Sequence, residues 1–183
     1  MSPTEQHAYD AERFAAIAAS AQPQDWSRPS PVPEWTARDV VGHLLEWLPG
    51  FLTQADVTLP PIDATGDPVA AWRQRTADVQ RLLEERGDTV FRSRMFDDMP
   101  LAAAIDRFYT ADIWMHSWDL GRALGQEVDL GEERCAAALE GMAPIDELLR
   151  SSGPFGPKVP VPETASAQDR FVAFIGRDPS WRP

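Results

Sequence analysis

The chain has few of the residues that cross-link secreted proteins or bind nucleic acids. Its only cysteine is Cys135, so no intrachain disulfide can form and nothing indicates an oxidising compartment. Lysine and arginine total 17 against 29 acidic residues, which leaves a net charge of −12. The basic residues form no cluster of the kind that binds a phosphate backbone, and we expect no nucleic-acid partner.

Long apolar runs and common catalytic motifs are also missing. No stretch approaches the ~18 residues that a membrane span needs, and the N-terminus lacks a signal-peptide pattern. There is no GxGxxG, P-loop, HExxH or GxSxG motif, so the sequence gives no indication of nucleotide binding, zincin chemistry or serine hydrolysis. With 183 residues and 43% hydrophobic side chains, the sequence predicts one globular, cytoplasmic domain with a sizeable core and no membrane partner.

Helix-starting residues (Ser2, Thr36 and Asp67), prolines and glycines divide the chain into predicted helices. The helices cover residues 3–21, 36–48, 68–86, 100–124, 132–150 and 166–175. Pro49-Gly50 should kink or end the second helix, and Pro144 should kink the fifth near Gly141. Residues 89–95 could form a short strand or a loop. Four long amphipathic segments indicate an α-helical bundle over residues 1–150, with residues 151–183 forming an arm and a short helix packed on it.

Three ionisable residues, Asp112, His116 and Asp119, lie on the apolar stripe of the predicted helix 100–124. At about 100° per residue, His116 and Asp119 fall within roughly 60° of Asp112 around the helix axis. The apolar residues on the same stripe are Leu101, Ile105, Phe108, Met115 and Ala123. An unpaired buried carboxylate costs on the order of several kcal/mol, so a compensating group must be present. A divalent metal is one such group, because Asp and His four residues apart stack as neighbouring ligands.

A third ligand would distinguish a metal from the alternative, a buried and hydrogen-bonded Asp112–His116 ion pair with Asp119 reaching a backbone group or an arginine. His43 is the expected supplier, because the chain has only three histidines and His7 is expected on a frayed N-terminal turn. His43 lies at the edge of the inward face of helix 36–48, which suits a ligand between helices, although it could also be a hydrogen-bonded core histidine. The inward face comprises Val40, Val41, Leu44, Leu45 and Leu48.

Trp114 and Trp118 fall on the opposite side of the helix that carries Asp112, at roughly 120–160° from it. Two indoles one turn apart are too much apolar surface to leave in water. Two coverings are open: a second copy of the chain in a two-fold homodimer, or the arm 151–162 or last helix folding back. Arg107 and Arg122 flank the indoles, and arginine is favoured at interfaces.

Two segments resemble the motifs of a known family. Residues 26–31 (WSRPSP) and 34–44 (EWTARDVVGHL) resemble the N-terminal motif of the DinB-like, mycothiol-dependent maleylpyruvate isomerase superfamily, in which a Trp-Thr pair caps the helix bearing the first histidine ligand. Residues 112–120 (DIWMHSWDL) look like its second motif, an acidic residue and a histidine separated by three residues and followed by Trp-Asp-Leu. Residues 155–162 and 174–179 resemble a largely uncharacterised metal-binding branch.

The resemblance implies an all-α, DinB-like four-helix bundle with up-down-down-up connections, often assembled as a homodimer. It also implies one divalent metal, Zn first and Ni or Fe as alternatives, held by His43, Asp112 and His116 with water in the open positions. The isomerase has Glu where this chain has Asp112, and it carries a second C-terminal domain. The roughly thirty residues after the bundle are too few for such a domain, so maleylpyruvate isomerisation does not follow.

Two classes of function agree with these features. The first is an enzyme: a mycothiol-dependent transferase or isomerase in which the metal stabilises a thiolate that attacks a small-molecule electrophile, or a hydrolase that uses metal-bound water. The second is a non-catalytic metal-binding bundle, acting as a sensor or scaffold. Asp119 is the candidate for supporting a ligand from behind or for proton transfer in the enzyme, and it could equally cap a helix or brace the bundle.

Overall fold

The structure is a computed structural model that describes residues 1–63, 65–93, 97–151 and 155–183. The described residues are mostly helical with one short two-stranded sheet, which confirms the all-α class. The helices are α1 (Pro3–Ala19), α2 (Ala37–Leu52), α3 (Pro68–Arg86), α4 (Leu101–Ala104), α5 (Ala111–Ala123), α6 (Glu132–Met142), α7 (Asp146–Ser151) and α8 (Ala167–Phe174). Short 3-10 helices occupy Pro23–Ser27, Thr53–Ala55 and Ala143–Ile145.

Side-chain caps begin the helices where the sequence predicts them. Ser2 caps α1 in a capping box with Glu5. Thr36 does the same for α2, since its Oγ1 accepts from the backbone N–H of Asp39 over 3.3 Å. Asp67 caps α3 by accepting two backbone N–H bonds. Each such cap contributes typically about 1 kcal/mol, so the polar residues before each helix fix its start.

Two predicted breaks differ in outcome. Pro49 lies inside α2, which continues to Leu52, so the helix does not end at Pro49-Gly50. The break at Pro144 is confirmed, because α6 ends at Met142 and a 3-10 turn separates it from α7. In the stretch 89–95, Val90–Phe91 pairs antiparallel with Met99–Pro100, while residues 94 and 95 lie outside the described residues. Residues 152–154 of the predicted arm lie outside them as well.

The helix predicted over 100–124 has a π-helical segment, Ile105–Thr110, between α4 and α5. A fixed period of 100° per residue has no signal for such a segment, which holds the chain in a wider turn. π-Helical turns are rare and often occur beside functional sites. This one ends two residues before Asp112, at the start of the helix that carries Asp112 and His116.

The main core lies between four helices. α1 packs against α3 and α5, and α2 packs against the same two helices. Every residue predicted on the inward face of α2 is buried, as is most of the apolar stripe of α4 and α5. The largest fully buried apolar side chains of this main core include Phe14, Leu44, Leu48, Leu52, Trp72, Phe91, Leu101 and Ile105.

Of the two coverings predicted for Trp114 and Trp118, the one by a second copy of the chain is wrong for these residues, because the C-terminal part of the same chain covers both indoles. Trp114 stacks on Phe171 of α8 with ring centroids 4.8 Å apart, and its Nε1 donates to the carbonyl of Leu130 over 2.9 Å. Only 4% of Trp114 and 2% of Trp118 is exposed. The folded-back alternative therefore holds, and these indoles give no support to a dimer.

The expectation that His7 lies on a frayed turn is also wrong. The capping box of Ser2 and Glu5 secures the first turn of α1, and the His7 side chain is fully buried. Its Nδ1 lies 3.1 Å from Gln80 Oε1 on α3, and its ring stacks on Tyr109. In the part of the chain that the structure describes, no helix combines the length and apolarity needed to cross a membrane.

Candidate metal centre

Three side chains from two helices converge between α2 and α5. His43 Nε2 lies 3.0 Å from Asp112 Oδ2, and His116 Nε2 lies 3.4 Å from Asp112 Oδ1. The two imidazole rings meet edge to face, with centroids 4.9 Å apart. One potential ligand atom from each of the three residues lies within 4.8 Å of the other two. The two histidines face different oxygens of the Asp112 carboxylate.

The local sequence explains this convergence. The Thr36 cap sets the start of α2, which places His43 at the border between the buried face and solvent. Asp112 and His116 are one turn apart on α5, so their side chains lie side by side. Because α2 and α5 pack directly against each other, the histidine of one helix meets the pair on the other.

Two tryptophans frame the cluster. The Trp35 ring lies 4.9 Å from the His43 ring and 5.7 Å from the His116 ring, so it borders both histidines. Trp47 donates from Nε1 to Asp112 Oδ2 over 3.0 Å. The bond from Trp47 holds the orientation of the Asp112 carboxylate, and Trp35 limits the rotation of both imidazoles.

Asp119 lies behind His116, on the side away from Asp112. Its Oδ2 is 2.8 Å from His116 Nδ1, and the side chain is 1% exposed. Arg177, from the turn after α8, donates to both carboxylate oxygens, from Nε over 3.2 Å and from Nη2 over 3.1 Å. Asp119 therefore lies in the position of a residue that orients a ligand, and it does not border the space between the three donors.

The pKa values of the cluster reflect its burial and its neighbouring charges. Burial acts to raise the pKa of Asp112, but the charge of His116 and the hydrogen bond to His43 hold it below its ordinary value. Burial acts to lower the pKa of His116, yet Asp112 and Asp119 hold it above its ordinary value. The Asp112 carboxylate thus stabilises a positive charge beside it, and a metal that binds there would displace the proton of His116.

The donor set fits a divalent metal. Two imidazole nitrogens and one carboxylate are a common set of protein ligands for catalytic zinc, which leaves a fourth position for water or substrate. The His43 side chain is 31% exposed and Asp112 is 19% exposed, whereas His116 is only 6% exposed. The cluster is thus open to solvent on the side of His43 and closed behind His116.

The structure brings together the three residues predicted as ligands and places Asp119 directly behind one of them. Sequence reasoning assigned no role to Trp47 or Arg177. Trp47 follows His43 by one helical turn, a spacing that offers a signal for a shared site. Arg177 lies in the segment 174–179, which resembles a metal-binding branch of the family. That resemblance does not indicate that Arg177 contacts Asp119. Cys135 is fully buried in a second apolar cluster, together with Trp114 and Phe171.

A helical fold with a His-Asp-His cluster between two helices defines a class of candidate metal-binding bundles. The family model described as "Mycothiol maleylpyruvate isomerase N-terminal domain" matches residues 8–121, more than half of the chain. The chain belongs to this family. The matched region includes all three predicted ligands and Asp119, while α6, α7, α8 and Arg177 follow it.

Two proteins of Mycobacterium tuberculosis are similar to this chain along almost all of its length. They are "Uncharacterized protein MT0763" of strain CDC 1551 / Oshkosh and "Uncharacterized protein Rv0738" of strain ATCC 25618 / H37Rv. Each is 28% identical over 186 residues, which cover 97% of this chain and 98% of the relative. The likeness therefore includes the C-terminal segment as well as the bundle helices. No solved structure matches the chain.

Proposed function

We propose that the protein binds one divalent metal and acts as a thiol-dependent transferase or isomerase with mycothiol as the thiol. The observation that carries the proposal is the open side of the His43, Asp112 and His116 cluster. A structural metal site is closed by protein ligands, whereas a catalytic one keeps an exchangeable position. The partial exposure of His43 and Asp112 beside a buried His116 supports the second kind.

His43, Asp112 and His116 would hold the metal, with zinc the first candidate and nickel or iron as alternatives. A bound zinc ion would supply stabilisation of a thiolate at neutral pH. The protein's own residues would do the rest: Trp47 orients Asp112, Asp119 orients His116, and Trp35 forms an aromatic wall beside both histidines. The family name supports mycothiol as the thiol.

The thiol in this proposal comes from outside the chain. Burial, with the charges of Glu132 and Asp129 adding to it, raises the pKa of Cys135 to about 12, and the side chain has no exposed surface. A thiol with that pKa is almost entirely protonated at neutral pH and is a weak nucleophile. An exogenous thiol and a small-molecule electrophile are therefore the proposed substrates. Maleylpyruvate is not proposed, because the acidic ligand here is Asp112 and not the Glu of the isomerase.

The finer architecture is also a proposal. We infer a DinB-like four-helix bundle with up-down-down-up connections, which the packing of α1 and α2 on both α3 and α5 supports. Residues 1–150 would form the metal-binding bundle and residues 151–183 an arm and helix on its surface. A homodimer and a cytoplasmic location stay predictions, and light scattering would distinguish a 20.3 kDa monomer from a particle of twice that mass.

A conjugation assay tests the activity. Zinc-loaded protein is mixed with mycothiol and a panel of electrophiles such as 1-chloro-2,4-dinitrobenzene, and the thioether is followed by absorbance. We expect an enzyme-dependent rate that a chelator abolishes, that His116→Ala removes and that Cys135→Ser leaves unchanged. A rate that survives chelation would contradict the proposal. Ester or amide hydrolysis without any thiol would favour the hydrolase, and tight zinc binding without turnover would favour the non-catalytic bundle.

A further inference from the structure

The guanidinium of Arg177 is buried, with 8% of the residue exposed, and most of its donors are used. Nε and Nη2 donate to the two oxygens of Asp119, and Nη1 donates to the carbonyl of Ile175 over 3.0 Å. A two-pronged bond of this kind fixes the plane of a carboxylate as well as its position. Arg177 therefore determines how Asp119 presents its oxygens to His116.

The hydrogen bonds also determine which ring nitrogen of His116 faces the cluster as an acceptor. Asp119 accepts from Arg177 at both oxygens, so the contact to His116 requires the imidazole to donate from Nδ1 over 2.8 Å. In a neutral ring the other nitrogen, Nε2, then carries the lone pair. That nitrogen faces Asp112, where a metal would bind.

Backbone geometry directs Arg177 into this position. Gly176 lies in the turn after α8 and has φ +89°, a conformation that favours glycine. A Cβ at this position would lie 2.9 Å from backbone atoms of Gly156. The Arg177 N–H then donates to the carbonyl of Val172 over 3.0 Å. Phe171, on Trp114, anchors the helix before this turn. The packing of α8 on Trp114 and the tight turn at Gly176 together place the Arg177 side chain where it can bond Asp119.

We propose that Arg177 is a positioning residue of the metal centre, and that the C-terminal segment 155–183 is through it an integral part of that centre. Arg177 fixes Asp119, Asp119 fixes the ring of His116, and Nε2 of His116 is thereby presented to the metal. The proposal rests on the metal site proposed above. It goes beyond the region matched by the family, which ends at residue 121.

The test compares Arg177→Met with the matched control Arg150→Met. Arg150 also secures the C-terminal segment, by donating to the carbonyls of Gly156 and Phe174, but it has no bond to Asp119. Zinc affinity is measured by competition with a chromophoric chelator, after circular dichroism has shown that each variant is folded. We expect Arg177→Met to lose about 10- to 100-fold in affinity, the usual effect of removing such a support, and Arg150→Met to stay close to the wild type.

Two further measurements separate orientation from mere anchoring. In the background Asp119→Asn, Arg177→Met should add less than about threefold, because residues that act through one another are not additive. Arg177→Lys, which keeps the charge but loses the two-pronged bond, should give an intermediate affinity and serves if Arg177→Met does not fold. Equal zinc affinity in Arg177→Met and Arg150→Met, or a full additive loss in the double variant, would overturn the proposal.

A measurement on metal-free protein tests the positioning role of Arg177 separately from metal binding. Nitrogen-15 NMR of histidine in metal-free protein at alkaline pH reports which nitrogen of the neutral His116 ring carries the proton. We expect the proton on Nδ1 in the wild type and in Arg150→Met, and a mixture of both forms in Arg177→Met. A wild type that binds no zinc but shows this pattern would refute the metal site and retain the positioning role. A His116 ring that is unchanged in Arg177→Met would refute the positioning role itself.

Discussion

Trp47 and Asp112 are joined by a hydrogen bond from the indole Nε1 to Oδ2 over 3.0 Å. The same oxygen faces His43 Nε2, also at 3.0 Å, while the other oxygen faces His116. Trp47 is one turn after His43, so a single helix supplies both the candidate ligand and the group that orients the carboxylate on the facing helix. The aromatic residue is thus part of the site's architecture as well as of the core.

Removing this bond should weaken metal binding without destroying the site. We expect Trp47→Phe, which keeps an aromatic ring but loses the donor, to lower zinc affinity by about 10-fold. Trp72→Phe is the matched control, because the Trp72 indole donates to the carbonyl of Ala11 and lies in the core away from the cluster. Competition titration of both variants gives the comparison. An affinity lowered equally in the two variants would assign the effect to general destabilisation.

Acid should destabilise the fold through His7. Burial lowers the pKa of His7, and the bond to Gln80 and the charge of Asp10 only partly offset it. The unfolded chain, with a pKa of about 6.5, then binds a proton that the folded chain resists. Stability attributable to His7 is therefore full above about pH 6.5 and falls as the pH drops through that value towards the lower folded pKa.

Urea unfolding at a series of pH values checks this sign. We expect the free energy of unfolding of the wild type to decrease from about pH 7.5 to 5.5, and His7→Gln to show a smaller decrease over the same range. The difference between the two proteins isolates His7 from the other titrating groups. Parallel curves for the two proteins would show that protonation of His7 does not oppose folding.

Arg75 is a buried cation that the fold supports poorly. Only 1% of the residue is exposed, and its Nη2 donates to the carbonyl of Pro60 over 3.0 Å. Within the described ranges, Nε and Nη1 have no hydrogen-bond partner, and burial lowers the pKa of the guanidinium. Unsatisfied buried donors cost about 1–3 kcal/mol.

Replacing this side chain by an apolar one of similar length should therefore help. We expect Arg75→Met to raise the free energy of unfolding by about 1–3 kcal/mol, measured by urea titration. Arg73→Met, on the exposed side of the same helix, should change it by less than about 0.5 kcal/mol. A clear loss of stability in Arg75→Met would show that the guanidinium has a stabilising role, and the expectation would be wrong.

The covering of Trp114 by α8 can be tested through Phe171. The two rings stack at 4.8 Å, and Phe171 is fully buried. We expect Phe171→Ala to cost about 3–5 kcal/mol, as large-to-small substitutions of buried aromatic residues do, and to shift tryptophan fluorescence to longer wavelength. An unchanged unfolding midpoint and emission maximum would mean that α8 does not cover the indole.

Local signals in the sequence were sufficient for much of the fold. The caps Ser2, Thr36 and Asp67 begin their helices as predicted, because a capping interaction spans only three residues. The sequence also predicted which three residues meet in the candidate site, since two of them share one helix face and the chain has only three histidines. Short-range patterns of this kind carry their information within one or two turns.

Long-range contacts were not accessible in the same way. Arg177 meets Asp119 across 58 residues, and the contact depends on the turn at Gly176 after the last helix. The helical wheel placed Trp114 correctly on the side away from Asp112, but a wheel does not show which segment packs on that side. The π-helical segment before Asp112 has no counterpart in a fixed helical period.

Elemental analysis of the purified protein tests most directly whether His43, Asp112 and His116 bind one metal ion together. His116→Ala and His43→Ala remove predicted ligands, and His7→Ala removes the one remaining histidine, which lies in the core between α1 and α3. After loading with zinc and gel filtration, we expect about one ion per chain in the wild type and in folded His7→Ala, and little in the other two, because two protein ligands rarely hold zinc. Full occupancy in His116→Ala, or equal occupancy in all four proteins, would contradict the metal site.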